Sequence, residues 1–450
     1  MSFSTQLNYS RKPKAVASRS TRLNVYAANG NSWLSGQTIT INLPQLPRSY
    51  YNLREAVLKF KVAPTGAGHL QQSAYSVINS FTTSTNNGVI DKLEGYGVYN
   101  SIIMDAQLDP QVAVGVGSLT MGMGGNTDKI KLGKGVSTTT KIPVCLPLYH
   151  GLFNTDRSFP ADTSSPLRFD IKLATPNEAF IRTAHGTEVS EFTITDLEFI
   201  VDVTELSPDA EVVLASTFPD FNITFEAISH TTTTKSNAGT QLNENLGCRY
   251  SSVNKITACM RPQIDIGTAG VLSSVNRTSG KIDEIAYRIN GQQVPQKSIK
   301  VDTDFSEVVC ENLKAWGDLG SRLAPSSLQT QNRTDTTDAD NEATTTVQVE
   351  NFKVEDLKFV GSTPDAVDIA PNDANIGTFF TSLDLNTMPA ITDSSALYSG
   401  VSTLGSGIIT DFKFSSTPAS NSSDLLLDFW IQYTSVLNID PVSKSVFVSV

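Results

Sequence analysis

The chain is short of several things that most enzymes and secreted proteins need. It has only four histidines, His69, His150, His185 and His230, and they are scattered. Without clustered histidines a cupin-type metal site is not expected. Its four cysteines, Cys145, Cys248, Cys259 and Cys310, are far apart and form no Cys-x-x-Cys pair. Spacing of that kind reads as buried free thiols in a reducing compartment. One Cys-x4-His pair, Cys145 and His150, is too little for zinc. No run of ~18 apolar residues is present, so a membrane-spanning helix is not expected, and the N-terminus lacks the apolar segment of a signal peptide. Charged residues make up only 18% of the sequence, and long Ala/Glu/Lys/Leu stretches are missing. Neither a Gly-x-Ser-x-Gly elbow nor a His-Glu-x-x-His pair occurs.

Acid is absent from one place in particular. No Asp or Glu precedes Glu55, whereas Arg11, Lys12, Lys14, Arg19, Arg22, Arg48 and Arg54 do. The first 54 residues therefore carry +7, which leaves −18 on the rest of a chain whose net charge is −11. An acidic body repels nucleic acid, while a basic arm can approach a polyanion. Residues 1–24 read as a flexible basic arm, with Arg11, Lys12, Lys14, Arg19 and Arg22 as its candidate contact residues.

What is abundant is Ser, Thr, Asn, Gly and short alternating stretches. Thr38-Ile39-Thr40-Ile41-Asn42-Leu43, Leu58/Phe60/Val62 and Leu167/Phe169/Ile171/Leu173 all alternate with period two, as half-buried strands do. Phe192 and Ile194 start another alternation. It changes phase near Asp196 and continues through Leu197, Phe199, Val201 and Val203, so a bulge or turn is expected there. Later strands are expected at Phe221/Ile223/Phe225, at Val347/Val349 and at Val446/Val448/Val450. Between the halves, Pro208, Asp209 and Ala210 open a possible short helix that Pro219 closes. Two long polar loops, 334–346 and 362–375, are rich in Asp and Thr. Loops of this length have a job or pack on a neighbour.

The halves end alike. Residues 197–206, Leu-Glu-Phe-Ile-Val-Asp-Val-Thr-Glu-Leu, match residues 427–436, Leu-Asp-Phe-Trp-Ile-Gln-Tyr-Thr-Ser-Val. Upstream, Asp170-Ile-Lys-Leu-Ala-Thr matches Asp411-Phe-Lys-Phe-Ser-Ser. The two offsets are similar and the order is the same, which points to a duplicated unit of ~200 residues, enough for an eight-stranded sandwich of two Greek keys. The expected fold is all-β: two tandem eight-stranded jelly rolls with long loops. The expected division is 1–24 arm, 25–207 first roll, 208–220 linker and 221–450 second roll. Trp430 is opposite in phase to Phe429, so both faces of the last long strand are expected to be buried.

Candidate chemistry is thin. The glycine-rich stretch Gly115–Gly135 fails the phosphate-loop spacing because Gly135 follows Lys134. It reads as an inter-strand loop. Asp338, Asp340 and Glu342 lack the Gly and Glu positions of a calcium loop and read as a solvated acidic loop. No catalytic, cofactor or metal residues are expected.

These segments resemble the double jelly-roll major capsid proteins of the adenovirus, tectivirus, virophage and nucleocytoplasmic large DNA virus lineage. The likeness is carried by Gly36-Gln-Thr-Ile-Thr-Ile-Asn-Leu-Pro44, Leu58-Lys-Phe-Lys-Val62 and Ile90-Asp-Lys-Leu-Glu-Gly-Tyr-Gly-Val98. It continues in Ile142–Leu148, Leu167–Leu173, Leu397–Ser406 and Leu427–Val450. The resemblance implies a hexon-like fold and a homotrimer acting as a pseudo-hexagonal capsomer of an icosahedral shell. It also implies neighbouring capsomers, penton and minor capsid proteins as partners, a location in the virion, and an arm on the inner surface touching genome or internal membrane. Two rival readings are a single jelly-roll viral coat protein with a projecting β domain and a carbohydrate-binding β-sandwich protein. The first would not repeat, and the second would normally carry a secretion signal.

Overall fold

The computed structural model describes residues 18–108, 112–124, 132–136, 141–163, 165–182, 189–217, 221–236, 239–263, 266–267, 273–275, 277, 282–301, 306–316, 379–386, 400–414, 424–440 and 445–449. In the first half the strands are β1 (Ser18–Tyr26), β2 (Thr38–Asn42), β3 (Ser49–Thr65), β4 (Ile78–Thr85), β5 (Gly88–Glu94), β6 (Phe159–Pro160), β7 (Arg168–Leu173) and β8 (Glu191–Leu206). Helix α1 (Tyr96–Gln107) follows β5. Helix α2 (Pro208–Thr217) joins the halves. The second half contains β9 (Phe221–Lys235), β10 (Gln241–Leu242), β11 (Val253–Pro262), β12 (Ile282–Ile289), β13 (Gln292–Lys300), β14 (Thr381–Asp384), β15 (Ile408–Phe414) and β16 (Leu425–Ile439). Helix α3 (Ser306–Trp316) follows β13.

The sheet orders are the same in both halves. The first has β1-β8-β3-β6 facing β2-β7-β4-β5, and the second has β9-β16-β11-β14 facing β10-β15-β12-β13. Every numbered strand of the first half has its counterpart eight labels later, and each half is a jelly roll; the first half also holds a three-stranded sheet of Phe180–Arg182, Gly68–Gln71 and Leu132–Val136, with no counterpart among the described residues. The helix after the fifth strand is repeated too, as α1 and α3. Among the described residues no sheet mixes strands from the two sides of α2. Three short strands extend the framework: Ile142–Pro147 pairs with β3, Ser32–Leu34 with β8 and Val446–Ser449 with β16.

Alternation sends one side chain in two inward. Ile39 and Ile41 of β2, Phe169 and Ile171 of β7, and Phe199, Val201 and Val203 of β8 are all buried. Phe169 packs its ring 5.8 Å from Phe81, 5.4 Å from Phe153 and 5.1 Å from Phe199. In the second roll Phe412 does the same against Phe429 at 5.9 Å and Tyr287 at 5.4 Å. The phase change near Asp196 is a bulge: the β8–β3 register slips between Thr195 and Glu198, and Asp196 has φ +55°. The extra residue keeps apolar side chains inward on both sides of it.

Helix α2 starts on a Ser207 hydroxyl that accepts the Ala210 N–H at 3.3 Å, with Pro208 in its first turn and Asp209 and Glu211 at its positive end. Ser18 pairs with Leu206, and Phe221 pairs with Ile439. The linker therefore joins corresponding ends of the two large sheets, and the rolls run the same way. The strand expected at Val347/Val349 and the acidic loops lie outside the described residues.

One expectation needs correction. From Ser18 onward the basic arm is strand β1, paired with β8 along all nine of its residues. It escaped the alternation reading because an edge strand open to water needs little apolar content. Only Leu23 and Val25 are part-buried against the core.

Candidate functional site

The second roll lies against the first along a seam built from both. Strand β5, at the edge of the first roll, packs on β9, at the edge of the second, and α1 packs on α3. The outward face of the β9-β16-β11 sheet closes over α1. Strand β16 thus has two dry faces, as its sequence phase implies: Leu427 to Gln432 are all buried. Phe429 and Ile431 belong to the second roll's core, whereas Trp430 joins the core of the first. Trp430 stacks on His230 at 4.9 Å, lies 5.6 Å from the Tyr99 ring and donates its Nε1–H to the Glu94 carbonyl at 3.1 Å. Gly95, which precedes α1, has φ +63°, and a Cβ there would meet Trp430 Cζ2 at 3.2 Å. A larger residue would push the seam apart.

Several buried polar groups at the seam are partnered, while Gln72 Oε1 and Gln432 Oε1 are buried without a hydrogen-bond partner among the described residues. Asp428 accepts from Arg261 Nε at 2.8 Å and contacts His230 Nε2 at 3.1 Å. Burial alone would raise the Asp428 carboxyl, but the Arg261 charge and His230 hold it below its ordinary value. Arg277 of the second roll is fully buried and donates to Asp105 Oδ2 and Ser101 Oγ of α1. The other Asp105 oxygen accepts from Gln72 Nε2 at 2.9 Å. Gln71 Oε1 accepts the Ser274 N–H at 2.8 Å, and Gln432 donates to the Tyr99 hydroxyl. Asp91 of β5 is buried beneath β9, and burial pushes its carboxyl up to about 7 despite the N–H groups of Ile228 and Lys92.

A cavity of about 380 Å³ remains in the seam, lined in part by Tyr99, Ile103, Glu226, Lys255, Trp316 and Gln432. The Lys255 ammonium donates to the Ala315 carbonyl at 3.1 Å and sits 3.6 Å from the Trp316 ring. Burial pulls it down to about 8, offset in part by Glu226 and Asp384.

Among the described residues no group of three or more His, Cys, Asp or Glu is placed to hold a metal ion. Cys248 and Cys259 are buried, Cys145 is half-buried and Cys310 is exposed, so the reading of buried thiols fails at Cys310, which projects from α3. His150 does not pair with Cys145. It is packed edge-on against Phe81 at 4.7 Å, and burial drives it down to about 3, which keeps it neutral. The glycine-rich stretch is not simply an inter-strand loop: the helical segment Val112–Thr120 runs into its start, and Leu132–Val136 at its end is a strand paired with Gly68–Gln71. The helices of the described residues include none long and apolar enough to cross a membrane.

Of the arm residues, Arg19 and Arg22 are exposed on β1, at the end of the rolls where α2 joins them. Arg11, Lys12 and Lys14 lie outside the described residues, as do Asp338, Asp340 and Glu342. The seam network, which the sequence reading did not single out, joins residues as far apart as Gln432 and Tyr99. No local spacing could reveal it.

No protein-family model and no curated protein sequence matches the chain. Solved structures do match. The PBCV-1 virus capsid model has a TM-score of 0.60 at 9% identity, over 98% of this chain and 99% of that one. The Sputnik virophage structure has a TM-score of 0.58 at 10% identity, over 100% of this chain and 92% of that one. The Faustovirus major capsid protein has a TM-score of 0.55 at 9% identity, over 96% and 92%. The chain has the double jelly-roll fold of these capsid structures, in both rolls and along its length.

Proposed function

We propose that the protein is a major capsid protein that forms homotrimeric, pseudo-hexagonal capsomers of an icosahedral virus shell and acts as a structural subunit, not a catalyst. The observation that supports this best is the duplication. Two jelly rolls of one topology stand side by side in the same direction, fused by a dry seam, so three copies offer six similar units around one axis. Closed symmetry then limits growth, and capsomers join laterally to one another and to penton and minor capsid proteins in the virion. Obligate interfaces of this kind bury more than ~2,000 Å² in total.

Light scattering on the purified chain, with negative-stain imaging, tests this reading. Trimers with a six-sided outline are expected, and stable monomers or dimers would overturn it. The arm extends the proposal: Arg11, Lys12 and Lys14, with Arg19 and Arg22 behind them, contact genome or an internal membrane on the inner face. Contact with a polyanion of this kind weakens with salt and ignores sequence. Because β1 starts at Ser18, the test is deletion of residues 1–17. Trimers should persist while particle yield falls, and an unchanged yield and content would sink the arm's role.

A further inference from the structure

The seam cavity has a polar end and an apolar end. Ile228, Gln432 and Lys255 stand in a single row across β9, β16 and β11. The Gln432 bond to the Tyr99 hydroxyl shows that this row faces α1. On α1 the residues Tyr99, Ile103 and Gln107 follow one another four apart, so one face of the helix forms the opposite wall. Beyond them the lining turns apolar, with Met104, Leu108 and Met121.

The polar end is unfinished. Gln432 and His150 are both 4% exposed, and both line the cavity. The Gln432 amide gives an N–H to Tyr99, while its Oε1 has no partner among the described residues. His150 Nε2 has none either, on a ring whose Nδ1 lies 3.4 Å from the Tyr96 hydroxyl. Beside Gln432 in the row, the Lys255 ammonium makes a single hydrogen bond among the described residues, to the Ala315 carbonyl. Glu226 and Asp384 act on it from beyond ion-pair distance. An orphaned acceptor thus stands next to an ammonium with N–H groups to give. Only about one in ten buried polar groups goes unpaired in folded proteins, so two at one cavity point to a bound partner.

We propose that the seam cavity binds a small uncharged amphipathic molecule, with a carboxamide head and an apolar body, that bridges the two rolls. The head follows from the row. A carboxamide presents a C=O and an N–H side by side: the C=O accepts from Lys255, and the N–H donates to Gln432 Oε1. A carboxylate would meet Lys255 but would set a second acceptor against Gln432 Oε1 and bring its charge toward Glu226. An ammonium would meet Gln432 and be repelled by Lys255. A neutral head also has no charge to strip of water.

The body follows from the other end. A cavity of about 380 Å³ has room for roughly a dozen waters at ~30 Å³ each. Water can serve the polar row but gains nothing from Ile103, Met104, Leu108 and Met121, and an apolar group that replaces it there is favoured. Methionine side chains adapt their shape, so the outline of the body is loosely specified. The cavity is partly open to solvent, which gives a way in. Its polar row belongs to the second roll and α1 to the first, so an occupant ties the rolls together. The site lies within one chain and does not depend on how copies assemble.

Isothermal titration of the whole chain at pH 7 tests this with naphthamide, naphthoate and naphthylmethylammonium, which share a body and differ in the charge of the head. The amide should bind one per chain, at least tenfold tighter than either charged compound, and should raise the unfolding temperature. Lys255→Met keeps most of the side-chain bulk, removes the N–H groups and should weaken the amide about tenfold or more. Ile103→Trp fills the cavity from α1 and should abolish binding. Thermal unfolding checks that both variants stay folded, and the comparison of the three heads on the parent chain needs no variant. If none of the compounds binds, the cavity holds water alone and the proposal falls. It falls too if naphthoate binds as tightly as the amide, which would make this an anion site, or if Ile103→Trp binds the amide like the parent, which would place the site elsewhere.

Discussion

Removing one side of the Arg277–Asp105 pair should be among the most damaging single changes in the molecule, and removing both sides should not. Asp105 is 7% exposed and Arg277 is not exposed at all, so neither charge has water to fall back on. Asp105→Ala takes away the carboxylate and leaves the guanidinium buried without its counter-charge. Stranding a buried charge costs about 3–5 kcal/mol, a large part of a domain's ordinary stability of about 5–15 kcal/mol. With a urea slope of ~3 kcal/mol per M, the midpoint should fall by about 1–1.7 M. Asp105→Leu with Arg277→Met removes both desolvation penalties and keeps the volume filled, and replacements of that kind are often neutral or better. The double variant should therefore unfold close to the parent. Tryptophan fluorescence in a urea titration suits the measurement, because Trp430 and Trp316 both border the seam. The reasoning is refuted if Asp105→Ala keeps the parent midpoint, or if the double variant loses as much as the two singles added together.

Three further changes probe the same seam, and a fourth, on the open face, serves as their control. Asp91 has a folded-state pKa of about 7 against an ordinary 3.8, so the fold binds more protons than the unfolded chain between those values. Stability from this group is full below about pH 4 and lost as pH rises toward 7, by at most about 4 kcal/mol. Asp91→Asn should flatten that slope, and parallel pH–stability curves for variant and parent would contradict the assignment. Gly151 has φ +53° and sits against the Asp91 carboxylate, so Gly151→Ala combines backbone strain with a clash and should cost at least ~1 kcal/mol in thermal unfolding. Trp430→Ala should cost about 3–5 kcal/mol and Tyr26→Ala, on the open face, less than ~0.5 kcal/mol in the monomer; similar losses at the two sites would mean the seam is not the dry interior described.

Legibility in the sequence followed exposure to water on one side only. Strands such as β2, β7 and β8 have one wet face, so alternation marked them, and the bulge at Asp196 announced itself as a change of phase. The repeated segments fall on β8 and β16 and on β7 and β15, at equivalent places in the two rolls, because the inward faces of these strands face similar cores. Strand β1 was hidden because only Leu23 and Val25 mark its inward face, and β6 and β10 by being two residues long. Helix α1 carries apolar residues at Val98, Tyr99, Ile102 and Ile103, a usable helical spacing. It is diluted by Gly97, Asn100 and Ser101, which suit helices poorly in isolation; of the three, Ser101 bonds across the seam, to Arg277 and Ser274. Arg277 finds Asp105 from 172 residues away, a distance over which composition and periodicity carry no information.

The two acids of the repeat show what separates the wet face from the dry one. Asp428, under the seam, is 1% exposed and is gripped by Arg261 and His230. Glu198, at the same place in the first roll, is 19% exposed and already holds Lys59 at 3.2 Å and Asn24 Nδ2 at 3.2 Å. On an open surface such a pair contributes about 0–1 kcal/mol. Its value changes when the face is covered: a carboxylate that enters an interface with its partners in place avoids the several kcal/mol that an unpaired buried charge costs. Asn24 stands where His230 stands, and Lys59 supplies the cation that Arg261 supplies under the seam. The first roll thus carries, in partnered and water-exposed form, the polar set that its twin has buried. A face with that set can be covered by a second copy without stranding a charge.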